Sequence, residues 1–266
     1  KTGTVTPDIE AAVQNAKATF VGNAGETQTI SFNVTDDNIV ESSETFTLIL
    51  SSVASSSLKN DDFDLTDEAT VTIIDNDAAT LAINDVTMAE NANGATTGFT
   101  FSVTLTGAVQ EPFTVQYATN LASARENDFT ATDGTLSFTG NNGEAQTFDV
   151  TVLDDDIVEV DEFFNVLIHN VVAPGRNITI SDATAKGTIT NDDQAIVTVA
   201  DIGSSEDGAF VLALTADKAV DGGFTVDVST KNNTAYAPAD YTALVGETVT
   251  FAGTAGETQT VTLSIV

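Results

Sequence analysis

Three near copies of one short segment, GETQTI at Gly25–Ile30, GEAQTF at Gly143–Phe148 and GETQTV at Gly256–Val261, set the chain's period at about 115 residues. A chain that repeats at this interval has to build its cores unit by unit. A second phrase follows the first two copies, DDNIVESSE at Asp36–Glu44 and DDDIVEVDE at Asp154–Glu162. Each leads into an alternating apolar run and ends in an Asp/Asn triplet, Asp75–Asp77 or Asn191–Asp193, that passes into the next unit without a linker. Residues 1–77 are therefore read as the C-terminal part of a repeat, 78–193 as a complete repeat and 194–266 as the N-terminal part of another. Lys1–Val34 lines up with Lys231–Val266. Half-repeats expose strand edges and apolar faces, so the chain is expected to be a window on a longer array, or to have its ends completed by neighbouring copies. Abutting units are expected to stack.

The alternation within each unit is that of strands. In Phe46–Leu50 and Phe148–Val152 every second residue is apolar, the period of a strand with one buried face. Similar runs cover Leu81–Ile83, Phe99–Leu105, Phe113–Tyr117, Leu136–Phe138, Phe164–Ile168, Val197–Val199, Phe210–Leu214, Phe224–Val228 and Val249–Phe251. Asn93–Gly94, Asp133–Gly134, Asn142–Gly143 and Asp207–Gly208 read as turns between them. The expected fold is all-β: tandem antiparallel Ig-like sandwiches with about seven strands per complete repeat. Asp8–Ala18 has a weak helical reading, opposed by Pro238 in the matching stretch of the third unit.

Charge narrows the function. Eight Lys and Arg face 40 Asp and Glu, for a net charge of −32. Such a chain repels nucleic acid and anionic membranes and favours cations. There is no cysteine, so neither a disulfide nor a thiolate is available. No apolar stretch approaches the roughly 18 residues of a membrane span, and the N-terminus at Lys1 lacks a charged-then-apolar leader, as in a mature or excised piece.

In the complete unit, Asp154 and Asp155 end one strand, and Glu159 and Glu162 precede the next. Asn191–Asp193 closes the last strand, Glu90 follows the first, and Asp128 lies in the loop before Leu136. In a sandwich these can meet at one pole. At an effective dielectric of 20, two carboxylates about 4 Å apart repel by roughly 4 kcal/mol, so a divalent cation is the economical neutraliser. Oxygen donors in excess suit calcium with its 6–8 oxygens; zinc prefers nitrogen or sulfur, and magnesium tends to keep its waters.

The order of these motifs resembles the Calx-β family: Glu90 in A-E-N, Asp128-Phe129 before G-T-L-x-F, D-D-x-I-V-E-x-x-E, then G-T-I-T-N-D-D. The resemblance implies β-sandwiches that bind a small cluster of calcium ions at one end, often in tandem in large secreted or surface-attached bacterial proteins. In the second unit it implies Glu90, Asp128, Asp154, Asp155, Glu159, Glu162, Asp192 and Asp193 as ligands. Asp8, Asp36, Asp37, Glu41, Glu44, Asp75 and Asp77 correspond in the first unit, and Glu206 and Asp240 in the third. Asn191 departs from the pattern with a neutral amide where an acid is common, which lowers the charge of that site.

Acidic runs are often no more than solvated loops; repetition of the phrase in order is what favours ligation here. His169 reads as a surface residue, Phe163 and Phe164 as core, and Asp128 and Asp240 could cap turns. No nucleophile–base pairing stands out, so catalysis within these residues is not expected. The leading reading is a calcium-rigidified spacer of a long extracellular or cell-surface protein such as an adhesin or surface fibre, its partners calcium ions and adjacent repeats. The alternatives are a calcium-sensing regulatory module and an accessory array of a secreted enzyme.

Overall fold

The computed structural model describes residues 16–55, 57–91, 94–203, 205 and 208–266. In the second unit the alternating sequences bury one face each. The strand Thr97–Thr106 places Phe99, Phe101, Val103 and Leu105 wholly inside. It pairs antiparallel with Ala145–Val152, Phe101 opposite Phe148, and with Ala79–Ile83. Ile178–Asp182 completes this four-stranded sheet. The second sheet runs in the order Val86–Ala89, Thr184–Thr190, Glu162–Val172, Phe113–Asn120, Asp133–Phe138.

Both sheets feed one core, where Phe101 meets Phe164 edge-on with ring centroids 6.0 Å apart. The first and last passes of the chain each cross from one sheet to the other, Ala79–Ile83 to Val86–Ala89 and Ile178–Asp182 to Thr184–Thr190, and they pair with each other in parallel. Counting each crossing pass once gives the seven-strand sandwich that the sequence implies. The other pairings within these two sheets are antiparallel.

The first unit contributes an antiparallel pair, Glu44–Ile49 with Glu68–Ile73. The third holds a three-stranded sheet of Val197–Val199, Phe210–Ala216 and Thr258–Leu263, and a pair, Phe224–Val228 with Glu247–Phe251, around Leu214, Ala216, Val249, Phe251 and Val261. The suggested helix at Asp8–Ala18 falls outside the described residues except for 16–18, which are not helical. Asn93 and Asp207 also fall outside them.

One expected turn is a strand. Asp133–Gly134 opens Asp133–Phe138, with Gly134 opposite Tyr117. The glycine is needed for room, because a Cβ there would lie 2.6 Å from the Tyr117 hydroxyl. Asp-Gly signals a turn through glycine's backbone freedom; here glycine serves a close approach instead.

The acidic phrases lie at the junctions between units. Ile39–Val40 of the first phrase pairs in parallel with Ala108–Val109 of the second unit, and Ile157–Val158 of the second phrase pairs in parallel with Ala219–Val220 of the third. The N–H of Gln110 donates to the Val40 carbonyl at 3.1 Å, and that of Asp221 to the Val158 carbonyl at 2.9 Å. At the first junction Val40 joins the second unit's core and is 1% exposed.

The recurrent G-E-x-Q-T segment supports these junctions from behind. Val109 N–H donates to the Gly140 carbonyl at 2.8 Å, and Val220 N–H to the Gly253 carbonyl at 3.0 Å. Both glycines have positive φ, 95° and 94°. A Cβ on either would sit 2.1 Å from the valine carbonyl it faces, so only glycine fits. The Glu144 carboxylate gathers the N–H groups of Thr139, Gly140 and Asn141 and the Gln146 side-chain amide. Glu257 does the same with Ala252, Gly253, Thr254 and Gln259, and Glu26 with Val21, Gly22, Asn23 and Gln28. Donation from Ala252 first, then from Gln259 and the other amides, holds the Glu257 carboxyl down at about 2.

Candidate metal centre

The acidic pole of the second unit is positioned by its aromatic core. Phe129, directly after Asp128, is buried and stacks on Phe164 with ring centroids 4.4 Å apart. Glu162 stands two residues before Phe164 at the start of the strand Glu162–Val172. Burying two phenylalanines, worth about 1.5–3 kcal/mol each, thus brings two carboxylates together. The loop around Asp128 is fixed by its own bonds. The Asp128 carboxylate accepts the Arg125 N–H, and its carbonyl accepts the Leu153 N–H at 2.8 Å, at the end of the strand that leads into the acidic phrase.

Asp128, Glu159 and Glu162 each place a carboxylate oxygen within 4.8 Å of the others; among the described residues no other three acidic or histidine groups do so. Glu90, from the first pass of the chain, is the one buried charged residue among the described residues, 6% exposed. Its N–H donates to the Thr190 carbonyl at 3.3 Å, beside the closing triplet. Burial first, then the charges of Asp155, Glu159, Asp192 and Asp193, pushes its carboxyl up to about 7. Glu162 is likewise raised to about 7, by burial first and then by a hydrogen bond and charge from Asp128, against some relief from Arg125. Burial, with Asp155, Asp128 and Asp221 nearby, raises Glu159. Asp155 takes the Ile157 N–H at 2.8 Å, closing a tight turn inside the phrase. The structure therefore brings Asp128, Glu159 and Glu162 to within ligand distance of one another, while Asp155, Glu159, Asp192 and Asp193 act on Glu90 through their charge.

Asp154 is placed differently. Its carboxylate accepts the Gly94 N–H, tying the phrase to the loop after Glu90. Asn191 is built in as a crosslink: its Oδ1 takes the Glu159 N–H at 3.2 Å and its Nδ2 donates to the Asp193 carbonyl at 3.0 Å.

In the first unit Asp36, Asp37, Glu41, Glu44, Asp75 and Asp77 line a single cleft of about 430 Å³. Asp37 closes the same turn as Asp155, accepting the Ile39 N–H at 2.9 Å. Asp77 is raised by burial first and then by Asp75, Asp36 and Asp37. Asp8 lies outside the described residues, as does Glu206 in the third unit. Asp240 repeats the setting of Asp128: it accepts the Tyr236 N–H at 2.8 Å and precedes the buried Tyr241.

Three charged residues here are absent from the sequence reading. Arg125 reaches Glu159 and Glu162 electrostatically, and Asp221 of the third unit faces Glu159. Lys218, also of the third unit, bridges Asp156 and Asp193. Arg125 is legible in hindsight as a rare cation three residues from Asp128. Asp221 and Lys218 carry no motif and reach the pole only through the junction.

These donors fit a hard divalent cation. They are carboxylate and amide oxygens with no imidazole or thiolate among them. At an effective dielectric of 20, each pair of charges at 4–5 Å costs about 3–4 kcal/mol. One oxygen, Oδ2 of Asp193, is buried without a hydrogen-bond partner, an arrangement that costs stability unless something electropositive meets it.

The Calx-beta domain signature matches residues 13–77, 80–201 and 191–266. With most of its length matched, the chain belongs to the Calx-beta domain family. Among solved structures it is similar to the apo-form Calx CBD1 domain, at 26% identity over 43% of this chain and 98% of that one, with a TM-score of 0.37. It is similar also to CBD12 from CALX1.2, at 24% identity over 70% of this chain and 75% of that one, with a TM-score of 0.38. No curated protein matches the sequence.

Proposed function

We propose that this chain is a calcium-binding, calcium-rigidified structural repeat of a long extracellular or cell-surface protein, of the adhesin or surface-fibre kind, with no catalytic role. The supporting observation is the coincidence of acidic pole and junction. The Ile-Val pair that joins one unit to the next sits inside the same phrase as Asp154, Asp155, Glu159 and Glu162. In the second unit Glu90, Asp128, Asp155, Glu159, Glu162, Asp192 and Asp193 would hold the ion or ions, with Asp154 fixing the loop beside them. The first unit's cleft, with Asp36, Asp37, Glu41, Glu44, Asp75 and Asp77, would hold its own, and Asp8, Glu206 and Asp240 belong to the same scheme by position. Bound calcium cancels repulsion that otherwise loosens the phrase, and a firm phrase keeps its Ile-Val pair docked on the next unit.

A calcium-sensing module would use the same site at a different affinity. Calorimetric titration of the whole chain with calcium separates the two. Dissociation constants of roughly 10⁻⁴–10⁻³ M fit a spacer in an extracellular medium, whereas roughly 10⁻⁷–10⁻⁵ M would favour the sensor. Absence of saturable binding would overturn both.

A further inference from the structure

The two junctions share one backbone geometry and differ in what closes them. At the first, Val40 is 1% exposed and Val109 4%, so apolar burial seals the contact. At the second, Ile157, Val158, Ala219 and Val220 are all only half-buried. There Lys218, directly before Ala219, extends its ammonium to Asp193 Oδ1 at 2.5 Å and Asp156 Oδ1 at 2.9 Å. The lysine is well anchored. On one side Asp217 exchanges bonds with Ile196, its N–H donating to the Ile196 carbonyl and its carboxylate accepting the Ile196 N–H. On the other, Ala219–Val220 is paired to Ile157–Val158.

Register gives the matching positions at the first junction: Gly107 for Lys218, Asn38 for Asp156 and Asp77 for Asp193. The side chain, its cation and its outer acceptor are thus absent there. Gly107 has φ 97°, and a Cβ on it would meet Ala79 at 3.0 Å, so that loop has no place for a lysine. The Asp193 side chain is 10% exposed; one of its oxygens takes the ammonium and the other is the buried, unpartnered one. It stands between the lysine and the acidic pole.

We propose that Lys218 is a built-in cation for the second junction, its ammonium holding the third unit against the pole of the second when no divalent ion is bound. The second unit's carboxylates need a positive charge nearby whether or not calcium is present, and Lys218 supplies one from the neighbouring unit. Only the expected rescue by calcium rests on the function proposed above.

The chain has no cysteine, which permits spin labels to be placed in pairs on the whole chain. Exposed Thr147 and Thr225 report on the second junction, and exposed Thr47 and Thr104 on the first. In chelator-treated, calcium-free solution the wild-type 147–225 distance is expected to be narrow. Lys218→Gln should lose that narrow distance and leave 47–104 unchanged, while Lys218→Arg should retain it. A narrow 147–225 distance in Lys218→Gln, or a broad one in the calcium-free wild type, overturns the proposal. Adding calcium to Lys218→Gln reads the other question: recovery of the narrow distance supports an ion at Asp193, and failure to recover counts against that ion but not against the lysine.

Discussion

At the residue scale, the pole turns on carboxylates that pack closely enough to resist ionising. The test is a change of sign. With calcium saturating, Glu162→Gln should weaken binding about tenfold, about 1.4 kcal/mol of linked stability, and lower Tm by a few degrees. Without calcium the same change removes a repulsive charge beside Asp128 and Glu159 and should raise Tm. Asp149→Asn is the control, because Asp149 is exposed and takes only the Thr100 hydroxyl at 2.6 Å; thermal melts should show no reversal there. A pH effect follows from the same groups. Glu90 and Glu162 stand at about 7 in the fold against an ordinary 4.5, so the folded state holds protons more tightly than the unfolded chain. Their contribution to calcium-free stability is complete below about 4.5 and is lost as pH rises through 7. Melts of the calcium-free protein should therefore fall across that window, and saturating calcium should flatten the fall. The sequence displayed these carboxylates because ligand-rich phrases are local. It did not display Lys218 or Asp221, whose contact with the pole depends on how two units meet.

At the element scale, the most exact repeat in the chain proves to be a turn lock. Glu144 and Glu257 sit in a concavity of backbone N–H groups, an arrangement suited to an anion. Glu144→Gln keeps the size and removes the charge. The expected cost is about 1.5–3 kcal/mol, the range for hydrogen bonds to a charged group. Chemical denaturation should give the same loss with and without calcium, which separates this glutamate from the pole. Strands were readable because alternation is a property of a few adjacent residues; Phe99, Phe101, Val103 and Leu105 are buried as their spacing implies. Gly134 was misread because its role lies across the sheet, under Tyr117. The Ile-Val pairing was hidden for a similar reason, since a two-residue parallel contact between units leaves no periodic trace.

At the scale of the whole molecule, successive sandwiches are joined where their acidic phrases lie, with each phrase contributing both carboxylates and the docking pair. Length, charge and repetition led to that arrangement in outline, whereas the different closure of the two junctions, apolar at Val40 and ionic at Lys218, required the packed structure. A chain built this way should be stiffest when its poles are neutralised. A crystal structure grown in millimolar calcium tests this centre most directly. The account predicts ions bound by oxygens of Asp128, Glu159 and Glu162 at the 2.3–2.6 Å typical of calcium, with both Ile-Val pairs docked. Those side chains turned out to solvent, with no ion between them, would contradict it.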